Sequence, residues 1–205
     1  MWHDISQNSD EWLDLRAGKV TGSSIAKVMA NYGKTFGEPA KDLAATIAVE
    51  QVTGKRVVSC GYSNSHMDRG HEEEPIARAA YEDRFFVDVG RGGFYDNGDT
   101  GSSPDGNVMD DGLIEIKSAI PSVHYGRIKK GGFDSTYKWQ FLFNLRESGR
   151  AWIDFVSYCS SFPEHNRLYV HRIVRGDFTA ELEMIDLRVA EFLCLVEEIK
   201  KTIAG

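Results

Sequence analysis

The chain lacks several features that would assign it to a class at once. Its three cysteines, Cys60, Cys159 and Cys194, are scattered and odd in number. They predict neither a disulfide framework nor a clustered-thiolate metal site. No apolar run approaches the length of a membrane span, and the first residues show no signal-peptide pattern. We therefore expect a cytosolic protein without a membrane partner.

A basic excess is also missing. The formal net charge is −7, from 24 Lys and Arg against 31 Asp and Glu. This balance argues against an indiscriminate nucleic-acid binder, but a local basic groove remains compatible with it. Candidate groove residues stand near the Gly131-Gly132 pair and later in the chain, although each is also explained as a solvated surface charge; they are Arg127, Lys129, Lys130, Arg172 and Arg175.

The 205 residues are enough for one domain with its own core, and hydrophobic periodicity predicts its elements. Ser9 is expected to cap a helix ending near Gly18, Thr21 or Ser23 a second, and Gly54 ends a third. Further helices are predicted at 65–82, at 136–147 and in the amphipathic C-terminal segment. Strands are predicted at 85–89, 92–95, 113–117, 152–158 and 168–174. This order predicts an α/β fold in which helices flank a mixed sheet.

The most informative motif is S-P-D-G at 103–106, followed by L-I-E-I-K at 113–117. Strand alternation places Glu115 and Lys117 on one face and Ile114 and Ile116 on the other, while Pro104 favours a turn that carries Asp105. Taken alone, these residues are also explained by an ordinary turn and a solvated ion pair. Together, two carboxylates and an ammonium can bind hard cations and orient a nucleophile beside a phosphate.

A third acid is expected from the helix at 65–82. Met67, Gly70, Glu74, Ala77 and Tyr81 fall on one helical stripe that is otherwise apolar, whereas Glu72 and Glu73 fall outside it and are predicted to be solvated. An inward carboxylate is costly unless it meets a cation or a metal, which favours Glu74 as a site residue. A helix beginning at Pro75 would instead make Glu74 a cap.

These blocks together resemble the lambda-type phage exonucleases, also called alkaline or viral recombination exonucleases, of the PD-(D/E)XK nuclease superfamily. The resemblance runs from about Trp12 to Tyr158. It rests on the opening W-x-x-x-R-x-G-x-V-T-G-S at 12–23, R-G-x-x-x-E at 69–74, the S-P-D-G and E-I-K motifs, and Gln140 in a helix before the strand at 152–158.

The resemblance implies a single nuclease domain over residues 1–205 with a restriction-endonuclease-like core. It implies metal-dependent 5′→3′ degradation of linear duplex DNA that leaves a 3′ overhang. Asp105, Glu115, Lys117 and Glu74 would be catalytic. Mg²⁺ or Mn²⁺, two ions per site, would bind Glu74, Asp105, Glu115 and the carbonyl of Ile116. Lys117 is left open as a general base or an electrostatic stabiliser.

The resemblance further implies a pocket for a 5′-terminal phosphate built from Arg16, Ser23, Ser103 and Gln140, with Trp12 stacking on an end base. An arginine fork matches phosphate oxygens, and Ser23 is placed where a helix start would present amides. Simpler roles stay open: Ser23 as an N-cap, Ser103 as a turn residue, Arg16 in an ion pair and Trp12 in the core. The second glutamine of the family is replaced by Leu142.

Partners also follow only from the resemblance. Members of this family act on double-stranded DNA ends, often beside a single-strand annealing protein, and several form ring-shaped homotrimers. A phage or prophage origin and a bacterial cytoplasm are implied. Two alternatives stay open from the residues themselves: a site-specific or structure-specific endonuclease on the same core, and a catalytically inactive module that binds DNA ends or a protein.

Overall fold

The computed structural model describes the backbone of residues 1–57 and 65–205, and the side chains of residues 1–57 and 69–205. Cys60 and the side chain of Met67 thus lie outside the described residues. The strands are β1 (Trp2–His3), β2 (Val20–Thr21), β3 (Val89–Arg91), β4 (Phe94–Asp96), β5 (Thr100–Ser102), β6 (Gly106–Val108), β7 (Gly112–Ser118), β8 (Trp152–Tyr158) and β9 (Leu168–Val174). The helices are α1 (Asp10–Arg16), α2 (Ile25–Met29), α3 (Glu38–Thr53), α4 (Ser65–Phe85), α5 (Pro121–Lys130), α6 (Lys138–Ser148) and α7 (Thr179–Ala204).

Two mixed sheets form the centre of the described fold. The larger has the strand order β3-β6-β7-β8-β9, and only its β7–β8 pair is parallel. Because parallel neighbours need a crossover connection, α5 and α6 fill the chain between β7 and β8. The smaller sheet has the order β1-β4-β5-β2. Helices flank these sheets, which confirms the predicted α/β class.

Strand β7 is buried on both faces, and the predicted alternation of its side chains is confirmed. Leu113 packs with Phe141 of α6 in one core cluster. Ile114 and Ile116 pack on the opposite face with Tyr81 of α4 in a second cluster. The face of β7 that bears Glu115 and Lys117 therefore points towards α6.

Helix α7 follows the predicted amphipathic stripe. Ile185, Val189, Phe192 and Val196 are buried in the first core cluster, which also contains residues of α3 and α6. Packing within the chain thus accounts for the buried part of the stripe. Over the described residues, neither α7 nor another helix has the length and apolarity that crossing a membrane would demand.

Local signals at helix ends were informative. Ser9 Oγ accepts the backbone N–H of Trp12 at 3.2 Å, and Gly54 ends α3 with a φ of 63°, as predicted. The predicted N-cap of α2 was wrong. Ser24, rather than Thr21 or Ser23, precedes that helix, and its hydroxyl accepts the N–H of Thr21 at 2.9 Å.

The prediction of a strand over 85–89 was wrong. Helix α4 continues to Phe85, Phe86 turns the chain with a φ of 54°, and β3 begins only at Val89. The aromatic and β-branched run resembled a strand, but packing of Tyr81 and Ala77 on the sheet holds the helix through this region. Likewise, the run predicted at 92–95 contributes β4 only from Phe94.

The sequence left one helix open to an alternative start and missed another. Helix α4 passes through Pro75 without a new start, so the alternative in which Glu74 caps a helix is wrong. The lost backbone hydrogen bond is tolerated because Pro75 is exposed while the opposite side of the helix packs on the sheet. Helix α5 was missed, although Pro121 at its first position is a common start signal.

Candidate active site

The S-P-D-G motif lies where the pairing between β6 and β7 ends. Strand β6 begins at Gly106, which pairs with Ile114, so the later residues of β7 extend past it. Asp105 fills this edge, and its Oδ2 accepts the backbone N–H of Ile116 at 2.6 Å. Gln7 Nε2 donates to the carbonyl of Pro104 at 2.9 Å and holds the turn from the other side. The turn thereby places Asp105 beside Glu115.

Glu115 is the most constrained acid of the site. It is only 1% exposed and accepts hydrogen bonds on both carboxylate oxygens. Lys117 Nζ donates to Oε1 at 2.7 Å, and Gln140 Nε2 donates to the same oxygen at 2.6 Å. Asn144 Nδ2 donates to Oε2 at 2.9 Å. The carboxylate is therefore held from its own strand and from two positions on α6.

Lys117 lies between an anion and an aromatic ring. Its Nζ is 4.9 Å from the centre of the Tyr137 ring. Burial lowers the pKa of Lys117, but the carboxylates of Glu115 and Asp105 outweigh burial and the net shift is upward. The ammonium is therefore charged near neutral pH in this arrangement. A charged ammonium can stabilise negative charge but cannot accept a proton.

Glu74 faces the same edge from α4. Its Oε1 accepts Arg78 Nη2 at 2.9 Å, and the same Nη2 donates to the carbonyl of Asp105 at 2.6 Å. Arg78 therefore ties the helix to the turn. Burial, then the nearby carboxylates of Glu115 and Glu74, raise the pKa of Asp105 well above its ordinary value. Asp105 therefore lies close enough to both other carboxylates to be affected by their charge.

The neighbouring acid Glu73 departs from the prediction. It is buried rather than solvated, and its oxygens accept hydrogen bonds from the hydroxyls of Ser118 and Ser160. Ser118 ends β7 and Ser160 follows β8, so Glu73 meets the ends of both strands. Helical periodicity alone therefore did not predict that Glu73, outside the apolar stripe, is buried.

A second cluster, here called the arginine pocket, consists of Trp12, Arg16, Thr21, Ser23 and Ser103. Arg16 Nη2 donates to Ser23 Oγ at 3.0 Å and to Thr21 Oγ1 at 3.5 Å, and its Nη1 donates to Ser103 Oγ at 3.5 Å. Within the described residues its guanidinium has no carboxylate in salt-bridge contact. Burial lowers the pKa of Arg16 to about 10, so it remains a cation at neutral pH.

The ring of Trp12 forms a wall of this pocket. It is 9% exposed, its Nε1 donates to Ser103 Oγ at 2.8 Å, and the Arg16 guanidinium carbon lies 4.0 Å from the ring centre. The indole N–H of Trp12 and one face of its ring are therefore already in contact with other residues of the protein. This placement favours the core role for Trp12 over stacking on a base.

Gln140 is placed at the carboxylates, since its amide donates to Glu115 rather than to a member of the arginine pocket. Its Cγ nevertheless lies 3.8 Å from the position that a Cβ on Gly22 would occupy. Because Gly22 directly precedes Ser23, Gln140 stands between the two clusters. Ser103 and Asp105 connect them along the chain.

The proposed basic groove is only partly available. Arg127 is committed to the protein: its Nη1 donates to Ser157 Oγ at 3.1 Å and its Nη2 pairs with Asp134 at 3.3 Å. Arg172 makes two hydrogen bonds to Asp154, at 2.8 and 2.9 Å. Both arginines are therefore engaged by acceptors within the protein. Their place in a DNA-binding groove stays a prediction. Lys129 and Lys130 are exposed on α5, and Arg175 is half-buried.

The donor set suits a hard cation. Asp105 and Glu115 offer carboxylate oxygens beside the backbone of Ile116, and Mg²⁺ and Mn²⁺ prefer such oxygen ligands. Among the described side chains, no group of three or more His, Cys, Asp or Glu is close enough to form a complete metal site by itself. Backbone oxygen, water or substrate phosphate would have to supply the remaining ligands, as is usual for Mg²⁺.

An open cleft of about 760 Å³ gives access to the acids. Its walls come from residues 4–7 of the N-terminal segment, from α4 with Glu74 and Arg78, and from Arg91 and Gly92. Asp105 lies at its edge. Glu74 and Asp105 are thus reached from solvent through this cleft.

Four residues of this site were missed from the sequence: Gln7, Arg78, Tyr137 and Asn144. Arg78 carried a usable signal, since Glu and Arg four residues apart on a helix commonly pair. Asn144 carried a weaker one, because it stands one helical turn after Gln140 on the same face. Gln7 and Tyr137 meet the site only through tertiary packing.

Comparisons with known proteins agree with this arrangement. The alkaline exonuclease LHK-Exo from Laribacter hongkongensis is 34% identical, aligns over 96% of this chain and 98% of its own, and gives a TM-score of 0.78. LHK-Exo in complex with dAMP gives 0.79 over the same shares. A phage related exonuclease from Haemophilus somnus 129PT, at 16% identity, 90% and 96% coverage and a TM-score of 0.66, supports the fold alone.

No curated protein matches the chain. Residues 11–151 match the family model of the YqaJ-like viral recombinase domain. This match and the LHK-Exo similarity confirm the resemblance to the lambda-type exonucleases, and they support a nuclease role in recombination. The chain therefore belongs to the family of YqaJ-like viral recombinase domains.

Proposed function

We propose that the protein is a metal-dependent exonuclease that degrades linear duplex DNA from its 5′ ends, in the 5′→3′ direction. The observation that carries this proposal is the pairing of two sites across Ser103 and Asp105. Arg16 in the arginine pocket is a cation with no carboxylate partner among the described residues. Asp105, the first of the acids that can bind a metal, stands two residues after Ser103 of that pocket. A terminal phosphate bound at the first site would lie close to a phosphodiester at the second.

The chemistry of the cut supports repeated action in one direction. In hydrolysis, water attacks phosphorus, the bond to the 3′ oxygen breaks, and that oxygen takes a proton. The released nucleotide carries the 3′ hydroxyl, and the remaining strand keeps the phosphate as its new 5′ end. Each cut therefore regenerates the group that an arginine fork with hydroxyl neighbours suits. The complementary strand remains as a 3′ overhang.

The catalytic groups have separable roles in this proposal. Asp105, Glu115, Glu74 and the carbonyl of Ile116 hold Mg²⁺ or Mn²⁺, two ions per site. Bound ions supply Lewis-acid stabilisation of charge on the reacting phosphate and activation of water. Lys117 donates to Glu115 and acts as an electrostatic stabiliser of negative charge on the reacting phosphate. Arg78 holds Glu74 against the turn that carries Asp105.

The wider setting is also proposed. Residues 1–205 act as one nuclease domain in the cytoplasm of a bacterial host, encoded by a phage or prophage. The enzyme binds DNA ends, assembles as a homotrimer that encircles the duplex, and prepares overhangs for a single-strand annealing protein. Light scattering coupled to gel filtration tests the trimer, and a monomer at micromolar concentration would contradict it.

The deciding experiment is digestion of linear duplex DNA, labelled separately at each end, with and without MgCl₂. We expect Mg²⁺-dependent release of mononucleotides from the 5′ label first, and much faster release from 5′-phosphorylated than from 5′-hydroxyl ends. Closed circular DNA of the same sequence is the control and should stay intact. Cutting of the circle would establish the endonuclease alternative. If no divalent ion supported digestion of any DNA, the inactive binding module would be the remaining alternative.

A further inference from the structure

Asn144 occupies a position where an amide is unexpected. It is 1% exposed and lies in the middle of α6, where Phe141, Leu142, Phe143 and Leu145 are also buried. Burying an amide in such surroundings costs free energy unless its donors and acceptor find partners. An apolar side chain would be the expected occupant of this position.

Hydrogen bonding satisfies Asn144 only in part. Its Nδ2 donates to Glu115 Oε2 at 2.9 Å. Its Oδ1 is buried without a hydrogen-bond partner in the described part of the chain. An acceptor left unpaired in this way is unfavourable. The side chain therefore contributes little to folding by itself, and its one hydrogen bond goes to the proposed metal-binding carboxylate.

The two amides of α6 divide the carboxylate between them. Gln140 and Asn144 stand one turn apart, and they donate to Oε1 and Oε2 of Glu115 respectively. Lys117 also donates to Oε1, so that oxygen already accepts two hydrogen bonds. Oε2 accepts one from the described residues and keeps a lone pair for another ligand, since each carboxylate oxygen has two acceptor positions. The hydrogen bond from Asn144 fixes the direction in which that lone pair points.

Gly22 holds the other side of Asn144. A Cβ placed on Gly22 would lie 2.8 Å from Asn144 Oδ1, which is too close for an undisturbed contact. Only glycine therefore lets the amide keep its present position. Gly22 directly precedes Ser23 of the arginine pocket, and Asn144 donates to Glu115. The contact between Gly22 and Asn144 therefore lies between that pocket and Glu115.

We infer that Asn144 is a positioning residue, which orients Glu115 so that its Oε2 is presented to a divalent cation, and that Gly22 keeps Asn144 in place. This inference rests on the proposed function of Glu115 as a metal ligand. Hydrogen-bonding partners of metal ligands typically matter by roughly 10- to 100-fold in metal affinity. A residue that merely filled the core would affect stability without affecting that affinity.

The test measures Mn²⁺ binding to the DNA-free protein by calorimetry, together with the melting temperature and the Mg²⁺ concentration that gives half-maximal DNA digestion. Asn144→Leu removes the donor and keeps the side-chain size. We expect Mn²⁺ affinity to fall roughly 10- to 100-fold, with a matching rise in the Mg²⁺ requirement. Gly22→Ala leaves both amides intact but displaces Asn144, and we expect a loss in the same direction.

Leu142→Ala is the matched control. This neighbour on α6 is also 1% exposed, so its truncation should lower the melting temperature while Mn²⁺ affinity stays that of the unmodified protein. Unchanged Mn²⁺ binding in Asn144→Leu, with the unmodified protein binding metal and digesting DNA, would overturn the inference alone. So would an equal loss of affinity in Leu142→Ala. An unmodified protein that neither binds Mn²⁺ nor digests DNA would overturn the proposed function as well.

Should Asn144→Leu fail to fold, Gly22→Ala decides by itself. The substituted position lies outside α6, and the flexible end of the Asn144 side chain can move away from the added methyl group. A folded Gly22→Ala protein with weakened Mn²⁺ binding supports the inference, and one with unchanged binding contradicts it.

Discussion

Replacing Arg16 by alanine should erase the preference for 5′-phosphorylated DNA ends. The guanidinium reaches the hydroxyls of Ser23, Thr21 and Ser103 and has no carboxylate among its described salt-bridge partners, so its charge is available to a bound anion. It rests on the Trp12 ring, which keeps the fork oriented. The alanine variant keeps the catalytic acids but removes this cation.

The magnitude follows from the number of donors. A hydrogen bond to a charged group is worth about 1.5–3 kcal/mol, and one to two such bonds to a phosphate would come from Arg16. Because Arg16 is only half-buried and solvent weakens such bonds, we expect a loss of about 3 kcal/mol in transition-state stabilisation. This corresponds to about a hundredfold in kcat/KM on 5′-phosphorylated ends. On 5′-hydroxyl ends the loss should be small, because the phosphate is absent.

The assay compares kcat/KM on the two kinds of end for the unmodified enzyme and for Arg16→Ala, Arg16→Lys and Arg56→Ala. Lysine keeps the charge but not the planar fork, so an intermediate preference is expected. Arg56 is the matched control, since it lies beside α1 but pairs with Asp10 and Asp14 at 3.2 and 3.4 Å. Equal losses on both ends in Arg16→Ala, or a lost preference in Arg56→Ala, would refute the reasoning.

Three further outcomes are expected. Glu115→Gln and Lys117→Ala should each lower the digestion rate by orders of magnitude while circular dichroism reports an intact fold, and retained activity in either would contradict their catalytic roles. His124 is fully buried, and burial lowers its pKa. The free energy of unfolding should therefore decline as pH falls below about 6.5, which is the pKa of histidine in an unfolded chain. The melting temperature of His124→Asn should lose that part of its pH dependence. Gly101→Ala would place a Cβ 2.2 Å from the Phe94 ring and 2.6 Å from a backbone carbonyl, so a loss of more than about 2 kcal/mol in unfolding free energy is expected in urea titration, and an unchanged midpoint would disprove that close contact.

Much of the catalytic strand could be predicted from the sequence. The alternation in L-I-E-I-K determines that Glu115 and Lys117 share one face, since successive strand side chains point in opposite directions. Pro104 and Gly106 likewise define a turn at Asp105. These are local properties, set by backbone geometry within a few residues, and the structure has the same arrangement.

Elements with conflicting local signals were less predictable. The run after Tyr81 combines aromatic and β-branched residues that favour a strand, but its helix continues because Tyr81 and Ala77 are buried against the sheet. Helical periodicity alone predicted that Glu73 is exposed to solvent. Whether an acid is solvated depends on what the helix packs against, and here Ser118 and Ser160 lie opposite it.

The sequence by itself determined which residues could carry the chemistry: the acids, the lysine and the arginine, each recognisable from its motif. Only the tertiary structure decided how they are held. Asn144 meets Glu115 because α6 packs across β7, and Arg78 meets the Asp105 carbonyl because α4 covers the opposite face. Such contacts join residues 27 to 29 positions apart in the chain. Periodicity and capping act over a few residues, whereas these distances are set by how whole elements pack.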